Sequence, residues 1–321
     1  MSIPLSRTLA CLVACVALGT AAAQQAYPSR PLTIVVPFGP GSAPDAVSRL
    51  VGEELTRQLG QPVVIQNKPG ANSMIGTAYV AQNVPADGYT LLYGTNSGLS
   101  AAPSMVKSLS YDPLHDLAPV ASLQETYFLL VARPGGNTGG FADLLERIRR
   151  NPGKVRIGGA SLTMEVTDTL MRNAGGLEHI YVPYKQLSRM LLDIEGGQIE
   201  AGFSTISSAL PLIQSGKLTA LAATSPQRLD LLPEVPAMAE TLPGVTLATW
   251  TGFFVRAGTP ADYIDHLHRA INDALKTPKL AQLTAESGRA LRLTPAEFRD
   301  FIEVDEVRWR EIFQAAGIEP R

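Results

Sequence analysis

The sequence predicts an α/β protein built as two α/β lobes around a cleft, and three observations carry that expectation. Short apolar runs such as LTIVV (32–36), FLLVAR (128–133) and EAGFST (200–205) alternate with amphipathic stretches of helical period. Apolar strands alternating with helices imply parallel sheets covered on both faces. The alternation comes in two blocks, 27–125 and 126–250, and a return segment near TGFFVRAG (251–258) leads into charged helices that close the chain. Residues 251–321 are therefore assigned to the first lobe with 27–125, and 126–250 to the second. Finally, 45% of the 321 residues are hydrophobic and 17% charged, a balance that supplies a core for two domains.

Taken in order, LTIVV leads to a helix starting near Ala43, and PVVIQN (62–67) to one starting near Asn72. YTLLYG (89–94) follows the turn-rich AQNVPADG, and FLLVAR precedes a helix near 140–151. KVRIGG (154–159) feeds a helix from about Met164, and IYVPY (180–184) one from Arg189; EAGFST and LTALAAT (218–224) follow. The closing helices carry a stripe of Phe298, Phe301, Ile302, Trp309 and Phe313, expected as core packed on the first lobe. Ligands of such sheets lie beyond the carboxyl ends of the strands, and a cleft between lobes suits a small one.

Composition excludes several functions. The formal net charge is -2, with no basic stripe or aromatic–basic interleaving, so nucleic-acid binding has no support. MSIPLSR followed by TLACLVACVALGTAAA reads as a signal peptide over 1–23, with Ala21 and Ala23 meeting the small-x-small cleavage rule. The apolar run is too short and too weakly flanked for stable membrane insertion. Both cysteines, Cys11 and Cys15, fall in that leader, leaving the mature chain without thiol or disulfide. Four histidines without an HExxH pattern offer no zinc site, and neither a metal nor a cofactor is expected. Serines are plentiful, but there is no GxSxG elbow or histidine partner, and no carboxylate pair stands out as acid and base. An enzyme is therefore not expected.

The loops after the strands carry the chemistry. PFGPGSAPD lacks the lysine of a phosphate-binding P-loop, and Pro44 breaks the dinucleotide-binding glycine pattern begun by Gly39 and Gly41. Ser42 is placed to cap a helix that Pro44 begins, and the backbone N–H groups of Phe38, Gly39, Gly41, Ser42 and Ala43 can face a carboxylate. Asp45 has two readings, as a stabiliser of its own helix start or as a partner of a cationic or hydroxyl group. NKPGANSMIG repeats the arrangement with Ala71, Asn72, Ser73 and Met74, and Lys68 is either a direct counter-ion or a solvated surface lysine. Thr95 and Asn96 follow the third strand. In the second block, Ser161, Leu162, Thr163 and Glu165 form a hydroxyl-rich loop, while Tyr184, Ser204 and Ser207 end the later strands. Tyr184 can stack on a flat ligand or pack on Pro183.

YPSRPLTIVVPFGPGSAPDAVSR, LGQPVVIQNKPGANSMIGTAYVAQNVPADGYTLLYGT, HIYVPYKQ, LLDIEGGQIEAGF and WTGFFVRAGTP together resemble the substrate-binding proteins of tripartite tricarboxylate transporters, the Bug family, over nearly the whole mature chain. The resemblance implies a type II periplasmic-binding-protein fold, two α/β lobes around a hinged cleft. It implies a periplasmic receptor that captures a small organic carboxylate and delivers it to the membrane components of such a transporter. In the family one carboxylate is held by the first two loops, here Phe38 to Asp45 and Gly70 to Gly76, and the distal group meets the loop from Ala160 to Asp168. The leading expectation is a dicarboxylate, aromatic ones such as terephthalate included; a ligand-sensing role or an amino-acid or hydroxy-acid ligand stays open. Glu165 stands where the family has histidine, Asp168 where it has glycine, and PYKG becomes PYKQ. Glu165 is either a surface glutamate near the helix start or, facing the ligand, a group that would repel a second carboxylate and suit an ammonium or hydroxyl group.

Overall fold

The computed structural model describes residues 27–135 and 139–320; the expected leader and both cysteines lie outside the described residues. The chain opens with β1 (Leu32–Val36), whose β-branched run is almost wholly buried, and turns into α1 (Ala43–Leu59). The Ser42 side chain caps α1 by accepting from Asp45 N, proline opens it, and Gly60 closes it at φ 68°. Val47, Val51 and Leu55 recur at helical spacing and fill the core under β1. There follow β2 (Val63–Asn67), α2 (Met74–Asn83), β3 (Thr90–Thr95) and the short α3 (Ala102–Met105).

Next comes β4 (Leu117–Ala132), a 16-residue strand on which the whole topology turns. The second block continues through α4 (Phe141–Arg150), β5 (Arg156–Gly159), α5 (Leu162–Gly175), β6 (Ile180–Pro183), α6 (Leu187–Glu195), β7 (Ala201–Thr205), α7 (Ile206–Gln214) and β8 (Thr219–Ala223). The chain returns through β9 (Ala248–Arg256) and ends with α8 (Ala261–Leu275), α9 (Pro278–Ser287), β10 (Arg289–Ala290) and α10 (Pro295–Ala316).

The strand order is β2-β1-β3-β9-β4-β7-β5-β6, with β8 and β10 also paired to β4. The first part of β4 pairs with β9 and β10, and its last five residues pair with β7 and β8, so one strand belongs to both halves of a curled sheet. The sheets are mixed, where parallel ones were expected: β1, β2 and β3 are mutually parallel, as are β5, β6 and β7, but every pairing of β4 and β9 is antiparallel. The reason is the crossing itself, since a strand that leaves one half and a strand that returns to it run in opposite directions.

This topology points the two halves at each other. Because β3 and β4 are both antiparallel to β9, β1, β2 and β3 run with β4 toward the second half. By the same reasoning β5, β6, β7 and β8 run against β4, toward the first half. The carboxyl ends of both sets therefore face one inter-lobe gap.

The terminal helix departs from the expected division at 251–321. A capping box of Thr294 and Glu297 opens α10, and Gly317 closes it at φ 65°. Phe298 and Ile302 enter the core of the first half, with Trp250 edge-on to Phe298 at 5.3 Å. Trp309 and Phe313 instead join the core of the second half, beside Leu144, Val166 and Met171. Between the two ends, buried Asp305 accepts from Ser100 Oγ (2.5 Å) and Trp250 Nε1 (2.6 Å), and burial raises its carboxyl above the ordinary value despite these bonds. The stripe is core, as its apolar character requires, but it spans two cores because a 22-residue helix is about 33 Å long.

Candidate ligand-binding site

The first-half loops are bound together by their own polar groups. Lys68 N donates to Val36 O (2.8 Å), and Asn67 Nδ2 donates to Phe38 O (3.0 Å) and Asp45 Oδ1 (2.9 Å). Asp45 is 3% exposed; it accepts from Gly41 N (2.9 Å) and takes a two-pronged contact from Arg49 at 3.0 Å. The Arg49 bonds, then those from Gly41 and Asn67, hold its carboxyl down to about 2. Of its two sequence readings the structure favours a local one: Asp45 is a clip that shapes the loop over 38–45. Nothing in the sequence singles out Asn67 or Arg49, because each makes sense only once the ends of β1 and β2 are adjacent.

The second loop lies against the first. Gly76 is so close to it that an added Cβ would fall 2.8 Å from Pro37 Cβ and 3.0 Å from Lys68 O. Ala71, Asn72 and Ser73 all have positive φ (46°, 49° and 73°), and Gly70 precedes them at 127°. Three successive non-glycine residues in the left-handed region store strain that a merely connecting loop would shed. Ser73 was expected as a cap, yet its side chain does not cap α2; its Oγ lies 3.0 Å from Thr95 Oγ1 instead. Met74 N bonds Ala71 O and Thr77 N bonds Ser73 O, with the first-turn donors Ile75 and Gly76 between them.

Asn96, just past β3, is 2% exposed, and its Nδ2 is a buried donor with no partner among the described residues. Such a group is costly to leave unmade, so Asn96 Nδ2 is a candidate donor to an acceptor from outside the chain. Gly98 is part of the same arrangement, since a Cβ there would sit 2.6 Å from Ser73 Oγ and 2.7 Å from Thr77 Oγ1. Lys68 is held elsewhere, with its ammonium 4.0 Å from the centre of the Tyr79 ring. The cations of these loops are thus engaged by Asp45 and Tyr79, and neutral donors are what the loops present.

In the second half, Ser161 caps α5 by accepting from Met164 N (3.3 Å). Leu162 is half-buried against the core and Thr163 is buried. Tyr184 N donates to Gly159 O (2.8 Å), which brings the two loops together, while the Tyr184 hydroxyl donates to Asp193 (2.9 Å). Tyr184 is thereby tethered within its own lobe. Ser204 Oγ is buried and donates to Thr205 O, whereas Ser207 is exposed. Asp168 turns inward: it is fully buried, paired with His179 Nε2 (2.7 Å) and Arg172 Nε (3.2 Å). Glu165 is half-buried in the first turn of α5; after burial, its charge and that of Asp168 raise the Tyr181 hydroxyl.

The register sizes the gap. Thr95 is level with Thr251 and Gln124, and Thr205 is level with Phe128. From Gln124 to Phe128 along β4 is about 13 Å at about 3.3 Å per residue, room for one small molecule between the two sets of loops.

Residues 47–318 match the family model described as the tripartite tricarboxylate transporter family receptor, TctC. The chain belongs to the TctC family. It is a periplasmic solute-binding receptor by family, and it is 33% identical to protein BugT of Bordetella pertussis over 91% of this chain and 90% of that one. Among solved structures it is similar to Rpa4515 of R. palustris with adipate, at 30% identity and a TM-score of 0.80, over 92% of this chain and 100% of the other. It is similar also to MatC of Rhodopseudomonas palustris with bound malate, at 28% identity and a TM-score of 0.76, over 89% and 99%. These relatives confirm the two-lobed α/β fold around a hinged cleft that the sequence resemblance implied. Among the described residues no helix of this TctC-family chain is long and apolar enough to cross a membrane.

Proposed function

We propose that this TctC-family receptor captures a small dicarboxylate in the gap between its lobes and presents it to the membrane components of a tripartite tricarboxylate-type transporter. The observation that carries the reading is the unpartnered, buried Asn96 Nδ2 beside the left-handed turn at 71–73 and the uncapped start of α2. Together they form a neutral donor wall of the kind that binds a carboxylate without a counter-ion. The adipate and malate of the two structural relatives support the same ligand class. In this reading 27–125 with 251–294 forms one lobe and 126–250 the other, joined by β4, β9 and α10. Ligand binding closes the gap, excludes water and strengthens those bonds. No covalent step is involved, and release follows reopening in the periplasm, where the mature chain acts after loss of its leader.

The test is thermal shift and calorimetry on the mature chain with adipate, malate and terephthalate. At least one should raise the melting temperature, and Asn96→Leu, which keeps the volume and removes the donor, should weaken it by about tenfold or more. A flat response to every acid would overturn the proposal. Glu165→Gln checks the second lobe: with the half-buried carboxylate directed to the Tyr181 side rather than to the ligand, affinity for adipate should stay unchanged within about twofold. A gain of tenfold or more on removing the charge would put Glu165 against the ligand's distal group.

A further inference from the structure

A cavity of about 1020 Å³ opens at the crossing of β4, and none of the residues assigned to the ligand site lines it. Its walls come from both halves: Glu125 and Tyr127 of β4, the loop after β8, the α9–β10 segment, Arg292 just past β10, and Arg308 on α10. Among its described lining residues are four arginines, at 228, 289, 292 and 308, against the carboxylates Glu125 and Asp230. In a chain of formal net charge -2 this is a local reversal of sign.

The arginines are not equivalent. Arg289 is paired with Glu125 at 2.7 Å, and Arg228 is held in a two-pronged pair with Glu240. Among the described residues Arg292 and Arg308 take part in no salt bridge, although Arg308 lies within electrostatic reach of the buried Asp305 carboxyl. Arg292 Nη1 donates to the carbonyls of Leu291 (2.9 Å) and Leu123 (3.3 Å), and Arg308 Nη2 reaches Thr246 Oγ1 at 3.5 Å. Desolvation lowers the Arg292 guanidinium from its ordinary value, as befits a cation drawn from water without a carboxylate in return. Between the charged groups the wall is apolar, supplied by Leu229, Leu231, Leu247 and Ala281.

Guanidinium forks flanking an apolar wall recognise an anion that carries a carbon body. A cavity of this volume has the size of a small-molecule site. We propose that it is a second anion site, taking a dicarboxylate with an apolar body whose carboxylates are held by Arg292 and Arg308. It stands apart from the inter-lobe ligand site in both residues and chemistry: one wall is made of neutral donors, the other of guanidinium groups whose hydrogen bonds go to neutral acceptors.

The experiment is native mass spectrometry with isothermal calorimetry on the full mature chain, with adipate as the probe at low ionic strength. The expected result is an adipate-binding component that Arg292→Gln/Arg308→Gln weakens by about tenfold or more and that Asn96→Leu leaves unchanged. Arg308→Gln alone, which spares the Arg292 carbonyl bonds, should weaken the same component, and this keeps the test valid if the double variant is unstable. Absence of any arginine-dependent component up to about 10 mM adipate, the weak end of specific affinity, would overturn the proposal. So would inorganic phosphate binding there as tightly as adipate, since the apolar wall would then contribute nothing. An arginine-dependent component with no Asn96-dependent one beside it would count against the ligand-site reading and leave this one intact.

Discussion

Trp309→Ala should lower the unfolding free energy by about 3–5 kcal/mol, the range for deleting a buried large aromatic side chain. Trp309 is 2% exposed and packs beside Phe313 in the core of the second half, although its helix begins in the core of the first. The substitution also leaves Trp250 as the one remaining tryptophan, and Trp250 lies in the first-half core. Urea unfolding followed by Trp250 fluorescence and by far-ultraviolet circular dichroism therefore reports on both halves. If α10 couples the cores, the two midpoints fall together. If Trp250 keeps its original midpoint while the circular dichroism signal shifts, the helix does not couple them.

The second large effect concerns Asp45. Asp45→Asn removes the charge that Arg49 and two further donors satisfy, and should cost about 2–3 kcal/mol while loosening the loop over 38–45. The pH dependence has a definite sign. The folded carboxyl lies at about 2 against an ordinary 3.8, so its stabilisation is fully present above the ordinary value and is lost as pH falls through that interval. Denaturation midpoints measured from pH 5 down to about 2 should therefore converge between the original protein and Asp45→Asn. Parallel curves that never converge would show that the clip is not what stabilises the loop. Asp305 works in the other direction, because a raised carboxyl favours the fold at low pH and loses that advantage as pH rises through its own value.

Much of this was legible in the residues. LTIVV, PVVIQN and KVRIGG are apolar, β-branched and bounded by turn formers, and β1, β2 and β5 lie within them. Ser42, Pro44 and Gly60 announce both ends of α1. The strand β4 was only half visible: its last third reads FLLVA, but LAPVASLQET before it carries Pro119, Gln124 and Glu125, which disguise a strand. Those polar residues are affordable because Glu125 pairs with Arg289 and accepts from Tyr127, partners distant in the chain or invisible to local pattern. The antiparallel crossing was hidden with it.

At the candidate site, the loops were readable and their internal wiring was not. Serines at helix starts looked alike, yet Ser42 and Ser161 cap their helices while Ser73 turns to Thr95. The difference lies in the left-handed run at 71–73, which no propensity predicts for alanine. Asp45, equally plausible as ligand contact or local anchor, could be decided only once Asn67 and Arg49 were seen around it. Asp168 likewise reads as a loop residue in sequence and is fully buried against His179 in the fold.

The helix that enters both cores also sets the mechanics of capture. Two strands crossing a joint would let the lobes swing about them almost freely. A third tether, anchored by aromatic rings at each end and by a buried carboxyl at its middle, resists that swing in proportion to its extent. The receptor is then a sprung clasp with a preferred aperture, and opening it widely means prising a ring from its socket. A joint of two strands and a helix seated in both cores is therefore stiffer than one of two strands alone.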